Sequence, residues 1–485
     1  MLSLLFILLF LSGHSLFAQA NAAGSTAAPG AVSVAAPASA SASRRGDALT
    51  FKIAIMGPGN EPYFWFGHIG LVIEDRSGGR SRFYDWGVFS FESERFFINF
   101  AFGNMLYCCM VSRADLNYNS YISHNRNITL YTLDLPAESK EAVLRYVDNN
   151  VLPENRDYYY HIFKDNCATR IRDIIDMALN GQFKAAFGEA PGRFTIRQHA
   201  DRHTWHNEPV NWLTNFWMGQ NIDRPVTVWD EMFLPSEIAM RIKDFRYKDA
   251  AGKERALVSG VEVLYNSSTR PPVLDSPGNQ WYKKLIVSLL FSALILLLFR
   301  FTGRKRGFHL FIALLQSVSG LVFGLIGSAL FFMSFFTNHD YTYNNSNIFY
   351  VNPLFLALVP MGLILAFSKD KKKLFVITRL IRLFWTYVIL GALLTMVIKL
   401  SPAFYQQNQS ALALILPLAL TMVVVFFMMG RPGFQAGARE TTARPGGARE
   451  THTRQLGAQS KLNKRADKKT GLPCSALCKG LYSLL

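Results

Sequence analysis

"FKDNCATRIRDII", Phe163 to Ile175, sets one cysteine between an asparagine and an apolar periodicity. Ile171, Ile174, Ile175 and Ala178 recur at i, i+3, i+4 and i+7, the spacing of one helix face, with Asp165 as the expected N-cap. Cys167 then falls in the first turn, ahead of a packed face that opens at Ile171. Unpaired N–H groups and the positive end of the helix dipole favour a thiolate at such a position. Core residue, disulfide half and nucleophile are the three readings of Cys167, and the compartment bears on the choice.

Working outward, "LTFKIAIMG" (Leu49–Gly57) and "GHIGLVIED" (Gly67–Asp75) read as strands. "RSGGR" is a turn signal, and "SRFYDWGVFSF" completes a hairpin. "ITLYTLDL" (Ile128–Leu135) is a further strand. "PAESKEAVLRYVDNNVL" (Pro136–Leu152) reads as a helix with Val143, Leu144, Val147 and Val151 along one side. Strands precede helices, so this lobe is expected to be α+β.

The flanks supply the compartment. Residues 1–20 form a short apolar run ending in Ala18-Gln19-Ala20, the pattern of a removable signal peptide; without Lys or Arg at its start, an uncleaved anchor is the alternative. Residues 21–47, mostly Ala, Ser, Gly, Pro and Val, form a linker. Residues 48–280 form the exported lobe, and residues 281–430 are expected to hold five spans: Leu285–Phe299, Phe308–Phe336, Pro353–Phe367, Phe375–Ile398 and Ala411–Met429. The first and third are short and need flanking residues.

Arg300, Arg304, Lys305 and Arg306 crowd the first connecting loop, and Lys369, Lys371, Lys372 and Lys373 the third. The second, "TNHDYTYNNSNIFYVN", and the fourth, "SPAFYQQNQ", carry neither Lys nor Arg. Basic loops stay inside, so the lobe is expected outside a bacterial inner membrane and residues 431–485 inside, as a basic disordered tail. The formal net charge of +17 follows the same plan, since residues 1–282 hold 27 basic and 29 acidic side chains and the tail 11 basic and 3 acidic. Charge placed by topology excludes nucleic acid as the partner and leaves the lipid membrane. The "GLVFG" pattern (Gly320–Gly324) marks close helix packing, within one chain or between two. Cys474 and Cys478 in the tail lack the further ligands a metal site needs.

The lobe holds three cysteines, Cys108, Cys109 and Cys167; an odd count leaves at least one unpaired. A working thiol needs a base. His68, His124, His161, His199, His203 and His206 are available, and His68 stands out at the head of an apolar strand between Gly67 and Gly70. Glycines there allow another backbone or a substrate to approach. "RQHADRHTWH" offers His199, His203 and His206 as metal ligands if helical, but no acidic or cysteine partner completes the set, so no metal is expected.

"FGHIGLVIED", "FYDWGVF", "DNCATRIRD" and "DRPVTVWDEMFLP" together resemble the exported domain of the Lnb-type lipoprotein intramolecular transacylases, over about Phe51 to Pro235. "NHDYTYNNSNIFYVNPL" (Asn338–Leu354) is similar to that family's outer loop. The order also resembles permuted papain-like hydrolases, the group of NlpC-like peptidases and lecithin retinol acyltransferase, with the histidine strand before the Asn-Cys helix start. The resemblance implies Cys167 as nucleophile and His68 as base, with Asn166 directly before the cysteine. Tyr84 or Asp85 would orient the imidazole; strand register decides which, and one sequence does not reveal it. Arg170 and Arg172 either hold a phosphate or carboxylate, or pair with Asp173 and Asp176 on their own helix, the plainer reading.

The implied reaction moves an acyl chain from the sn-2 ester of a diacylglyceryl lipoprotein to that lipoprotein's N-terminal amine through a Cys167 thioester, with no cofactor. Two rivals share the sequence features. One is a cysteine peptidase or amidase acting on the cell wall. The other is a non-catalytic membrane protein that binds a lipid or partner.

Overall fold

The computed structural model describes residues 46–89, 95–267, 272–278 and 280–431. The signal peptide, most of the linker and nearly all of the basic tail, with Cys474 and Cys478, lie outside them. Among the described residues are nine strands: β1 (Leu49–Met56), β2 (His68–Asp75), β3 (Arg80–Val88), β4 (Leu106–Arg113), β5 (Ile128–Leu133), β6 (Asp157–Tyr159), β7 (Arg246–Lys248), β8 (Glu254–Ala256) and β9 (Val258–Tyr265). Seven build one antiparallel sheet in the order β6-β4-β3-β2-β1-β5-β9, while β7 and β8 pair separately.

The pleat explains the sheet's two apolar faces. Phe51, Ile53, Ile69, Leu71, Ile73, Tyr84 and Trp86 face one core, and Ala54, Met56, Val72, Phe83, Ile128 and Leu130 face the other. Six helices matter for the site: α1 (Phe96–Phe102), α2 (Ala114–Ser123), α3 (Ala137–Asn150), α4 (Cys167–Ala178), α5 (Gln182–Phe187) and α6 (Ile196–Thr204). The larger core is closed by Val143, Leu144 and Val147 of α3 and by Ile171, Ile174, Ile175 and Ala178 of α4. On the other face α2 contributes Ala114 and half-buried Tyr118 and Tyr121. The lobe is α+β.

Among the described residues, five helical segments are long and apolar enough to cross a membrane: Trp281–Thr302, Arg306–Phe336, Ser346–Phe367, Lys371–Ile398 and Gln409–Met429. The third differs from expectation. It begins at Ser346 rather than Pro353, and its first half is made of 3-10 turns, Ser346–Phe349 and Pro353–Ala357, before the α-helix Leu358–Phe367. Irregular backbone at that depth is tolerated only where protein covers it. Buried Asn347 and Asn352 supply the cover: Asn347 donates to Phe216 O at 2.8 Å and Asn352 to Ile348 O at 2.9 Å. The second span approaches these turns through glycine. A Cβ on Gly327 would stand 2.6 Å from Asn352 Cα, and one on Gly320 2.8 Å from Phe355 O. The GLVFG pattern therefore packs within one chain.

The lobe sits on the bundle end formed by the second and fourth loops. Phe216 and Trp217, at the end of α7 (Glu208–Trp217), join the core of the bundle. Asn345 donates to the carbonyls of both, at 2.9 and 3.0 Å, and Gln406 donates to Met218 O at 3.0 Å. Arg197 of α6, fully buried, anchors the same corner on Asp223 at 2.7 Å and on Met218 O at 2.8 Å.

Candidate active site

Cys167 opens α4, but the cap is Asn166 and not Asp165. The Asn166 Oδ1 accepts from the N–H groups of Ala168 and Thr169, both at 2.9 Å, and Thr169 Oγ1 returns the bond to the Asn166 N–H at 2.8 Å. Asparagine wins because its amide also donates, to Ile162 O at 2.7 Å and Phe233 O at 3.0 Å, locking the turn to two neighbouring segments. A carboxylate has nothing to donate there. Asp165 instead pairs with Arg170, at 2.5 and 2.7 Å. The packed face also starts earlier than expected. Cys167, Ala168 and Thr169 are all buried, so the thiol belongs to the packed surface.

His68 is the first residue of β2, directly after Gly67, whose φ of +78° permits the turn into the strand. Its Nε2 lies 2.8 Å from Asp85 Oδ1. Asp85 is aimed there by a β-bulge, at which Trp86 and Gly87 of β3 oppose the single Cys109 of β4. The same Oδ1 accepts from the Gly87 N–H at 2.8 Å. Any Cβ on Gly87 would come within 2.5 Å of His68 Cε1, so the imidazole needs glycine beneath it. Tyr84 points to the other face, and its hydroxyl donates to Asp148 at 2.5 Å. Of the two candidate partners of His68, the register brings Asp85.

Burial opposes a charge on His68, yet Asp85, Tyr121 and Cys167 together hold its pKa well above the ordinary histidine value. Burial likewise opposes charge on Asp85, but His68, the Gly87 N–H and Arg126 leave its pKa lowered. The two shifts have one cause, an ion pair in a poorly solvated place. Cys108 and Cys109 differ: burial pushes both thiols up, Cys109 strongly. All three lobe cysteines are free.

Burial, with charge on Cys167 adding to it, raises the pKa of Tyr107, Tyr121, Tyr158 and Tyr160. Tyr107 and Tyr160 stack with ring centroids 4.2 Å apart, and the Tyr158 hydroxyl donates to Trp86 O. Arg126 is fully buried between the Phe64 and Tyr121 rings, 4.2 and 4.9 Å from their centroids. Its Nε donates to Gly57 O at 2.9 Å, while Nη2 has no hydrogen-bond partner among the described residues. Charges on Tyr121, Cys167 and Asp85 all act on it, although burial lowers its pKa overall. No motif marks Arg126 or these tyrosines. They converge only after β4, β5 and β6 take their places in the sheet.

The remaining candidates have structural partners. Arg170 also lies over the Tyr158 ring at 4.4 Å. Arg172 pairs with Asp173 as read, and its Nη1 donates to Trp229 O at 3.0 Å. Asp176 accepts from the Lys184 N–H at 2.8 Å rather than from either arginine. His199 meets Glu231 at 3.0 Å and His203 meets Trp65 O at 2.9 Å. His124 meets Ser120 O at 2.7 Å, and His206 stands against the Trp65 ring at 4.6 Å. His161 lies 2.8 Å from Asp340 of the second loop, which also takes Lys164. That carboxylate, its pKa lowered to about 2 by the hydrogen bonds from His161 and Lys164, ties the segment before Cys167 to the membrane part. Among the described residues, no group of three or more His, Cys, Asp and Glu side chains is disposed to hold a metal.

Residues 37–202 match the family model of the Lnb N-terminal periplasmic domain. The match contains His68, Asp85, Arg126 and Cys167 and ends before "DRPVTVWDEMFLP". No curated protein and no solved structure matches the chain. The sheet-built lobe is thus similar, over residues 37–202, to the Lnb N-terminal periplasmic domain, and helical segments long and apolar enough to cross a membrane follow it.

Proposed function

We propose that this protein is a lipoprotein N-acyltransferase whose nucleophile is Cys167, acting at the outer face of the bacterial inner membrane. The observation that carries the reading is the Asp85–His68 pair beside a thiol at a helix start, in a lobe seated on the outer loops of five spans.

Asp85 holds the His68 ring and supports its positive charge. His68 holds as imidazolium the proton that Cys167 gives up, and the sulfur attacks the carbonyl carbon of the sn-2 ester on a diacylglyceryl lipoprotein. Negative charge on the carbonyl oxygen is met by the Cys167 N–H, which the Asn166 cap does not use, and by the nearby Arg126 guanidinium. The C–O bond breaks as His68 returns its proton to the glycerol oxygen, leaving an acyl thioester. The lipoprotein's free N-terminal amine then attacks that thioester, giving its proton to His68. The amide forms, and the thiol is restored when His68 protonates the departing sulfur. A thioester is reactive enough to acylate an amine without ATP, so no cofactor enters.

Expression in cells lacking other N-acylating enzymes should convert diacyl lipoproteins to N-acyl lyso-forms, read by mass spectrometry of the N-terminal peptide. Cys167→Ala and His68→Ala should each abolish conversion, and the double variant should be no worse than either, because the two act as a unit. Unchanged lipoprotein termini with cell-wall peptides cut in a Cys167-dependent way would replace the transferase with a peptidase. Intact phenotypes in Cys167→Ser would indicate a binding protein.

A further inference from the structure

Helix α1, "FFINFAF", contains no charged residue. Phe97, Ile98 and Phe102 are 44, 56 and 42 % exposed, an apolar face open on a helix of seven residues. The opposite side is engaged: Phe96 stacks on Phe89 with centroids 5.7 Å apart, and the Phe100 carbonyl meets His339 Nε2 at 3.1 Å. The helix lies against the outer end of the second span. The Phe102 ring is 5.4 Å from Phe332, and the Asn338 N–H donates to Phe102 O at 2.8 Å. Phe335 and Phe336, 63 and 60 % exposed, end that span beside it. A soluble lobe has no use for such a face, whereas an apolar helix at the level where a span emerges is placed to enter the leaflet.

The inner side leads toward the thiol. From Phe96 the rings continue to Phe89, from Phe89 to Tyr107 at 4.9 Å, and from Tyr107 to Tyr160 at 4.2 Å. Tyr107 stands opposite Tyr158 across β4 and β6, and Tyr158 packs on the core that holds Cys167. We propose that α1 lies in the outer leaflet through Phe97, Ile98 and Phe102, and that a lipid acyl chain follows the Phe96–Phe89–Tyr107–Tyr160 rings from that leaflet to Cys167. The occupant is a hydrocarbon chain, because the lane is aromatic throughout and continuous with the end of a span. The inference rests on the reading of Cys167 as the acyl acceptor and adds the route.

The test uses the full chain in vesicles of phosphatidylcholine carrying a diazirine in the sn-2 acyl chain. Illumination should attach lipid to peptides containing Phe97, Ile98 and Phe102 and to the peptide containing Tyr107, in wild type and in Cys167→Ala alike, since no chemistry is required. The double variant Phe97→Asn/Ile98→Asn should lose attachment on α1. It should also acylate a vesicle-held diacyl lipopeptide at least tenfold more slowly, with iodoacetamide alkylation of Cys167 unchanged as the check on folding. Attachment confined to the spans, cross-links from α1 to a second copy of the chain, or a double variant as fast as wild type would overturn the route. Wild type that fails to acylate the lipopeptide while its α1 is labelled overturns the reading of Cys167 instead, so the two failures are told apart.

Discussion

Tyr84 and Asp85 are neighbours in sequence, and pleating sends them to opposite faces of β3. That one-residue difference decides which touches His68, and the bulge at Trp86 and Gly87 fixes it. Sequence patterning finds the strand and both residues, but not the pairing with β4 that sets the register. The consequence is testable by titration. The raised His68 pKa means the ion pair's contribution to stability is fully present below the ordinary value of about 6.5 and is lost as pH rises through the folded-state pKa. For Asp85 the sign reverses: its contribution is present above the ordinary carboxylate range and is lost as pH falls through the lowered folded-state value. Asp85→Asn should bring the His68 midpoint, followed by NMR of labelled imidazole, down, and should cut acyl transfer by on the order of 10²-fold or more. Tyr84→Phe should leave both within a few-fold, costing only about 1–2 kcal/mol of stability from the lost bond to Asp148. Equal losses of activity from both variants would contradict the assignment of Asp85.

At the scale of elements, α4 was legible because its apolar period is strong and its start is marked by Asp-Asn-Cys. Sequence alone places the cap one residue early, since Asp and Asn cap equally well and only the neighbouring carbonyls of Ile162 and Phe233 favour the amide. Periodicity marks the packed face only from Ile171, because Cys167, Ala168 and Thr169 are small or polar and burial of such residues depends on what lies against them. Helix α1 is hidden for another reason: six of the seven residues of "FFINFAF" are apolar, so no period appears. The 3-10 start of the third span was likewise hidden, because its polar asparagines read as loop. Asn166→Ala removes the cap and two buried donors, and should cost about 1–3 kcal/mol, seen as a lower Tm in detergent. Asn166→Asp keeps the acceptor and loses the donors, so its Tm should fall between the two. A Tm of Asn166→Ala equal to wild type would show that the cap does not hold the helix start.

Across the whole molecule, the alternation of basic and neutral loops anticipated which loops share an end with the lobe, and Asn345, Gln406 and Asp340 join them there. Through His161 and Lys164, Asp340 ties the segment before Cys167 to the second loop. Sequence alone could not show this, because the contacts join residues more than a hundred positions apart. The central claim, that Cys167 carries the acyl group, has a direct readout. Trypsin should release Asp165–Arg170, "DNCATR", from enzyme quenched in acid during turnover with a diacyl lipopeptide. Mass spectrometry should find that peptide heavier by one acyl group, with the added mass removed by neutral hydroxylamine as a thioester requires and accumulating when the substrate's amine is acetylated. An unmodified DNCATR peptide, in enzyme that is converting lipopeptide to its N-acyl lyso-form, would contradict the account.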